Sequence, residues 1–166
     1  MKYDSEGELL KAGLRRLRDA QELLEDPTLN PNSGDAGHRH LRGAYYLAGY
    51  AVECVLKVYI MRLLAARSRQ SVLNWSIAID HLASRQTSVD LSGKRSHSLP
   101  LLLKLAELEA QFSGDRTMER NWRTCQAWDY NARYDGPLPN RAYAERFVAA
   151  CEGAHNWIQA RLPVAP

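Results

Sequence analysis

Residues 44–66 constrain this chain most. They run Ala, Leu, Val, Tyr, Ile and Met almost without pause and are broken only by Glu53, Lys57 and Arg62. A membrane span needs about 18 apolar residues with few or no charges, and charged side chains at mid-helix are costly in lipid. The run is therefore expected to be a buried central helix of an all-α protein, from about His38 to Arg67, apolar nearly all round. Ala44, Ala48 and Ala51, with Gly43 and Gly49, leave room for close helix approach. One stripe differs from the rest: Arg42, Tyr46, Gly49, Glu53 and Lys57 recur three or four residues apart and share a face.

The other segments are helical in period. Ser5 and Glu8 form an S-x-x-E capping box. Leu10, Leu14, Leu17 and Leu24 then line an amphipathic helix of roughly five turns, which Asp26-Pro27 ends. Residues 28–37, with Pro31, Gly34 and Gly37, read as a loop. A short helix is expected within Val72–Leu82 and a loop over 84–97. Ser98 caps a helix that carries Leu99, Leu102, Leu105 and Phe112 and stops at Gly114. Asp115 caps a helix whose apolar side holds Trp122 and Cys125. Asp129–Pro139 is a loop. Asn140 caps a last helix with Ala144, Phe147, Val148, Cys151 and Ile158 inside, ended by Pro163, and 162–166 is a tail. No segment alternates with period two, and no repeat is present. The reading is one domain over 1–166, an antiparallel bundle of four to five helices.

Composition narrows the function. The 166 residues carry a net charge of +3, too weak alone to argue for nucleic acid, but Arg outnumbers Lys 17 to 5. Arg makes the planar, bidentate contacts with phosphate and carboxylate that Lys does not. Three Cys, none in a C-x-x-C pair, predict a reduced compartment rather than a disulfide scaffold. The polar first 21 residues show no secretory signal. A cytoplasmic protein is expected. G-x-x-x-x-G-K-[ST], G-x-G-x-x-G, H-E-x-x-H and G-x-S-x-G are all missing, which leaves phosphate-loop ATPase, dinucleotide oxidoreductase, zincin and α/β-hydrolase without support.

Five features could carry chemistry. Glu53, one turn before Lys57, is either an ion pair in the favoured i, i+4 orientation or an acid that faces a cleft or dimer seam and orients an Arg. Arg116, Arg120 and Arg123 recur at i, i+4 and i+7, where like charges repel. They read as a ridge for phosphate or an acidic partner, or as a solvated face screened by Glu119. His97, just before Ser98, is either a general acid–base group or a loop residue. His38 and His40 beside Arg39 and Arg42 are a metal-ligand pair, a phosphate contact or a solvated helix start. A structural zinc site needs four ligands, and neither a metal nor a cofactor is expected. The stretch Trp128-Asp129-Tyr130-Asn131-Ala132-Arg133-Tyr134-Asp135 suits base stacking and phosphate pairing. Otherwise it is anchored by Trp128 and Tyr134, with Arg133 bridged to Glu53 or Asp129.

The run Arg42–Lys57 (RGAYYLAGYAVECVLK) resembles the second helix of prokaryotic HEPN-domain proteins, and Ser96-His97-Ser98-Leu99 and the Trp128–Tyr134 stretch resemble later signatures of that group. The resemblance covers residues 38–160 and implies a HEPN-like helical bundle. Many such proteins are homodimers that cleave RNA without metal. Others accompany nucleotidyltransferase partners in toxin–antitoxin or phage-defence modules. The ribonuclease members carry Arg, four to six residues, then His. This chain departs from that pattern, since neither Arg133 nor Arg116, Arg120 or Arg123 has a His at that spacing. The expected catalytic pair is then His97 and Arg133, with Tyr134, Asn131, Glu53 and the three ridge arginines in binding. The alternative is a non-catalytic module that dimerises or holds a nucleotidyltransferase-type partner.

Overall fold

The computed structural model describes residues 5–26, 35–68, 72, 74–85, 96–133 and 140–164, with side chains from 40 onward in the second helix, to 84 in the third and to 131 before residue 134. Among these residues the protein is all-helical. Seven α-helices follow in order: α1 (Glu6–Glu25), α2 (Asp35–Ser68), α3 (Trp75–Arg85), α4 (Leu99–Leu105), α5 (Glu109–Ser113), α6 (Arg116–Cys125) and α7 (Arg141–Gln159). A 3-10 turn, Tyr130–Arg133, stands between α6 and α7. One isolated backbone bridge joins Ser5 to Asn74. No helix among the described residues is long and apolar enough to cross a membrane.

α2 is the axis. It packs against α1, α3, α4, α7 and the 3-10 turn, and every residue from Ala51 to Met61 is buried. It begins at Asp35, three residues inside the expected loop; residues 28–34 lie outside the described ones. All three charges that break its apolar run have partners. Lys57 pairs with Glu53, and Arg62 holds Glu6 at the start of α1 through Nε and Nη2, at 2.8 and 2.5 Å, with the Pro163 carbonyl at 3.2 Å.

The cap signals fold as the sequence predicts. Ser5 Oγ accepts from Glu8 N and donates to Glu8 Oε2. Ser98, Asp115 and Asn140 accept from the backbone of Leu101, of Thr117 and Met118, and of Tyr143. Each satisfies amides that a helix start leaves open.

Three expectations are corrected. The buried face of α1 is Leu9, Gly13, Leu17 and Ala20, and Leu14 is 46% exposed. The reason is Gly13. A Cβ there would meet Cys54 Cβ at 3.2 Å and the Ala51 carbonyl at 3.3 Å, so the bare backbone lets α1 lie close against α2 at that point. The helix expected from Ser98 to Gly114 is two helices. Glu107 adopts φ +58°, a left-handed conformation uncommon for a side-chain-bearing residue. There Leu108 N donates to the Leu103 carbonyl at 3.3 Å and Glu107 N to Lys104 at 3.0 Å, a helix-ending pattern. α7 ends at Gln159 with Ala160 as its cap, four residues before Pro163.

α7 buries Ala144, Phe147, Val148, Cys151 and Ile158, as expected, and also His155, which is 0% exposed. Its Nδ1 lies 3.3 Å from Asn156 Oδ1, and its Nε2 is buried with no partner among the described residues, 3.5 Å from the position of a Gly13 Cβ. Burial holds its pKa below the ordinary 6.5, against the opposing pull of the Asn156 hydrogen bond and the Glu152 charge. The unfolded chain therefore binds this proton first as pH falls, and stability declines from about pH 6.5 downward until the folded state also takes it up. Thermal melts from pH 8 to 5 are expected to show this decline. His155→Gln flattens it; an unchanged slope would assign the loss to other groups.

Candidate functional site

The odd stripe of α2 is the floor of the site. Gly49 receives an indole rather than a helix: a Cβ there would lie 2.2 Å from Trp128 Cδ1. Trp128 is buried on this glycine, beside Tyr46 with ring centroids 6.1 Å apart. Tyr45 Oη donates to the Ala127 carbonyl at 3.0 Å. These contacts dock the segment after α6 onto α2. Asp129 Oδ1 then accepts from the backbone N of Asn131 at 2.8 Å and its Nδ2 at 3.0 Å, which closes the 3-10 turn. The turn lays Tyr130 on His97, with centroids 5.1 Å apart and planes 26° from parallel.

One turn of α2 beyond the Trp128 contact lies Glu53, and one turn further Lys57. Glu53 is 1% exposed and Lys57 8%. Glu53 Oε1 accepts from Lys57 Nζ at 2.6 Å and from His97 Nδ1 at 2.9 Å. Lys57 Nζ also sits 5.2 Å from the centroid of the Trp75 ring, a cation–π contact from α3. His97 is placed from the far side by Ser98, which caps α4. Two donors, Lys57 from the same helix and His97 from the turn before α4, thus meet on one carboxylate oxygen, and Trp75 and Tyr130 pack against those donors.

The hydrogen-bond pattern fixes the chemistry. A carboxylate only accepts, and a buried one is tolerated because it is paired. Against an ionised Glu53, His97 Nδ1 therefore carries the proton, and in the neutral ring that tautomer puts the lone pair on Nε2. The His97 side chain is 36% exposed, so the group that can exchange a proton has access to solvent while the group that orients it does not. An acid-backed imidazole is an arrangement that general acid–base chemistry can use. The nearby thiol is not a competing nucleophile: burial and the Glu53 charge push Cys54 up to about 12. Cys151 is likewise pushed up, by burial and by its contact with Cys125.

Of the residues singled out in the sequence, Glu53 and His97 come together, and Asn131 stands one residue from Tyr130. Arg133 closes the same turn with its backbone; its side chain, and all of Tyr134, lie outside the described residues. Arg116, Arg120 and Arg123 lie exposed along α6 opposite Met118, Trp122 and Cys125. Arg123 bonds Glu119 at 2.6 Å, the screening acid named from the sequence, and no described contact joins the ridge to Glu53 or His97. The His38 side chain is outside the described residues. Among the described residues no three His, Cys, Asp or Glu side chains gather as metal ligands would.

Sequence reasoning missed three parts of the site: Trp75 over Lys57, Tyr130 against His97, and Trp128 seated on Gly49. The first two leave no spacing signal, because each joins elements remote in sequence. The third had one, a glycine in the middle of the polar-aromatic stripe. Compared with known family models, with characterised proteins and with solved structures, the chain matches none.

Proposed function

We propose that this protein binds RNA and cleaves it without metal, with His97 as the proton-transfer group and Arg133 as the cation, in a HEPN-like protein of a defence or toxin–antitoxin module. The observation that supports this reading is the Glu53–His97 pair: a buried carboxylate lies 2.9 Å from Nδ1 of a partly exposed imidazole, and in the neutral ring so held Nε2 is the base. Cleavage within RNA needs a base to take the 2′-hydroxyl proton and a cation to stabilise the charge that builds on phosphorus. In this reading Nε2 takes that proton as the 2′-oxygen attacks the adjacent phosphate, and the imidazolium returns it to the 5′-oxygen as the P–O5′ bond breaks. Glu53 stabilises the imidazolium that forms, and Arg133, in the same turn as Tyr130, offsets the phosphorane charge. Tyr134 and Asn131 contact the strand. The exposed Arg116–Arg120–Arg123 face adds phosphate contacts that weaken as salt rises.

The missing R-x(4–6)-H spacing favours the second reading, a non-catalytic module that forms a homodimer or holds a nucleotidyltransferase-type partner. Cleavage assays with a panel of RNAs in the presence of a chelator separate the two. In the catalytic reading the wild type cuts, and His97→Ala, folded to the same melting temperature, loses about 10²–10⁴ in rate. No cleavage of any RNA by the wild type, or full activity in His97→Ala, overturns it.

A further inference from the structure

A half-exposed imidazole with its Nδ1–H fixed on a buried carboxylate presents a lone pair on Nε2 that can attack phosphorus as well as accept a proton. We propose that His97 is a phosphoryl-acceptor site that takes a phosphoryl group on Nε2 from a small donor of the phosphoramidate or acyl-phosphate class. The inference uses only the geometry of Glu53, Lys57, Tyr130 and His97, and does not depend on RNA being a substrate.

The step balances without an outside acid or oxidant. The Nε2 lone pair forms the N–P bond, and the bond from phosphorus to the donor's leaving group breaks. Its electron pair leaves with the carboxylate or, from a phosphoramidate whose nitrogen is already protonated, with ammonia. The ring, neutral before attack, becomes a cation that keeps its Nδ1 proton. That proton already points at Glu53 Oε1, 2.9 Å away, so the positive charge develops against a carboxylate in place before the reaction. Lys57 donates to the same oxygen at 2.6 Å and fixes its position. Tyr130 stacks on the face of the ring, so it does not itself cover the edge that bears Nε2.

The other described histidines lack this combination. His155 is fully buried. His40 and His81 are partly exposed, but neither ring has a carboxylate partner among the described residues. A phosphoryl group on His97 would occupy the lone pair that the proposed proton transfer uses, so modified protein could not perform that transfer.

The test treats the full chain with potassium phosphoramidate and follows phosphorylation at each histidine by mass spectrometry under non-acidic conditions. ³¹P NMR confirms attachment at the nitrogen remote from the side-chain stem. His97 is expected to gain its phosphoryl group at least about tenfold faster than His40 or His81, the scale of one hydrogen bond to a charged group, and E53Q is expected to remove that lead. Should E53Q not fold, the wild type unfolded in urea serves instead, and unfolding must erase the advantage of His97. Labelling of His97 no faster than His40 or His81 in the folded wild type overturns the proposal, as does a lead that survives both E53Q and unfolding. Either result leaves the RNA-cleavage reading to its own assay.

Discussion

Glu53→Leu is expected to lower the unfolding free energy by about 3–5 kcal/mol, the range seen when one partner of a buried ion pair is removed. The carboxylate is 1% exposed and holds two donors on one oxygen. Without it the Lys57 ammonium, 8% exposed, keeps among the described residues only its contact with the Trp75 ring, and His97 loses the carboxylate that holds its Nδ1. The size of the loss reflects the stranded charge more than the value of the pair. The double variant Glu53→Leu/Lys57→Met should therefore recover most of the stability, since apolar replacements of buried pairs are often neutral or better. Urea unfolding at constant slope measures both. A double variant as unstable as the single one would show that the cost lies in packing around Glu53, not in Lys57. Recovery of stability without recovery of His97 function would separate the two roles of this carboxylate.

Gly49→Ala is expected to cost about 1–3 kcal/mol, the usual penalty for overpacking a closed contact, and to remove the Tyr130–His97 stack. The added methyl would lie 2.2–2.4 Å from three atoms of the Trp128 indole. A rigid ring on a helix backbone cannot yield by rotating a flexible tip, so the whole segment from Ala127 to the 3-10 turn must lift. The Trp128 indole NMR signal should move, while those of Trp75 and Trp157 stay. Trp128→Ala should reach the same functional end from the other side, at about 3–5 kcal/mol. If Gly49→Ala keeps wild-type stability and an unmoved Trp128 signal, the segment is not docked as described.

The fold was legible wherever local signals govern. Ser5, Ser98, Asp115 and Asn140 mark helix starts because a short polar side chain satisfies nearby amides, a cause contained within four residues. The buried face of α7 follows from its spacing. Two failures are physical rather than accidental. Gly13 sets the face of α1 through a close approach that no hydropathy pattern carries. Glu107 breaks a helix at a residue with no breaking tendency of its own, in a bend that also places its carboxylate against Arg67 at 2.5 and 2.6 Å. That pair is exposed, so it adds little to stability.

The site was legible by half. A Glu one turn before a Lys inside an apolar helix already asks for a partner, and i, i+4 geometry supplies Lys57. The sequence offered an Arg as the group that Glu53 orients; the second donor on Glu53 Oε1 is His97, 44 positions away. Tyr130 and Trp75 reach the site only through tertiary packing. What the sequence did mark was the stripe Arg42, Tyr46, Gly49, Glu53 and Lys57, and its last four members each hold a ring or a charge delivered from another element.

The central claim is that Glu53 holds the Nδ1 proton of His97 and leaves Nε2 bare. A long-range ¹H–¹⁵N correlation spectrum of the imidazoles tests it directly at mildly alkaline pH, where free histidine is neutral, with His97 assigned by its loss in His97→Gln. The account predicts a protonated Nδ1 and an unprotonated Nε2. A ring that carries its proton on Nε2, with Nδ1 bare, would contradict it.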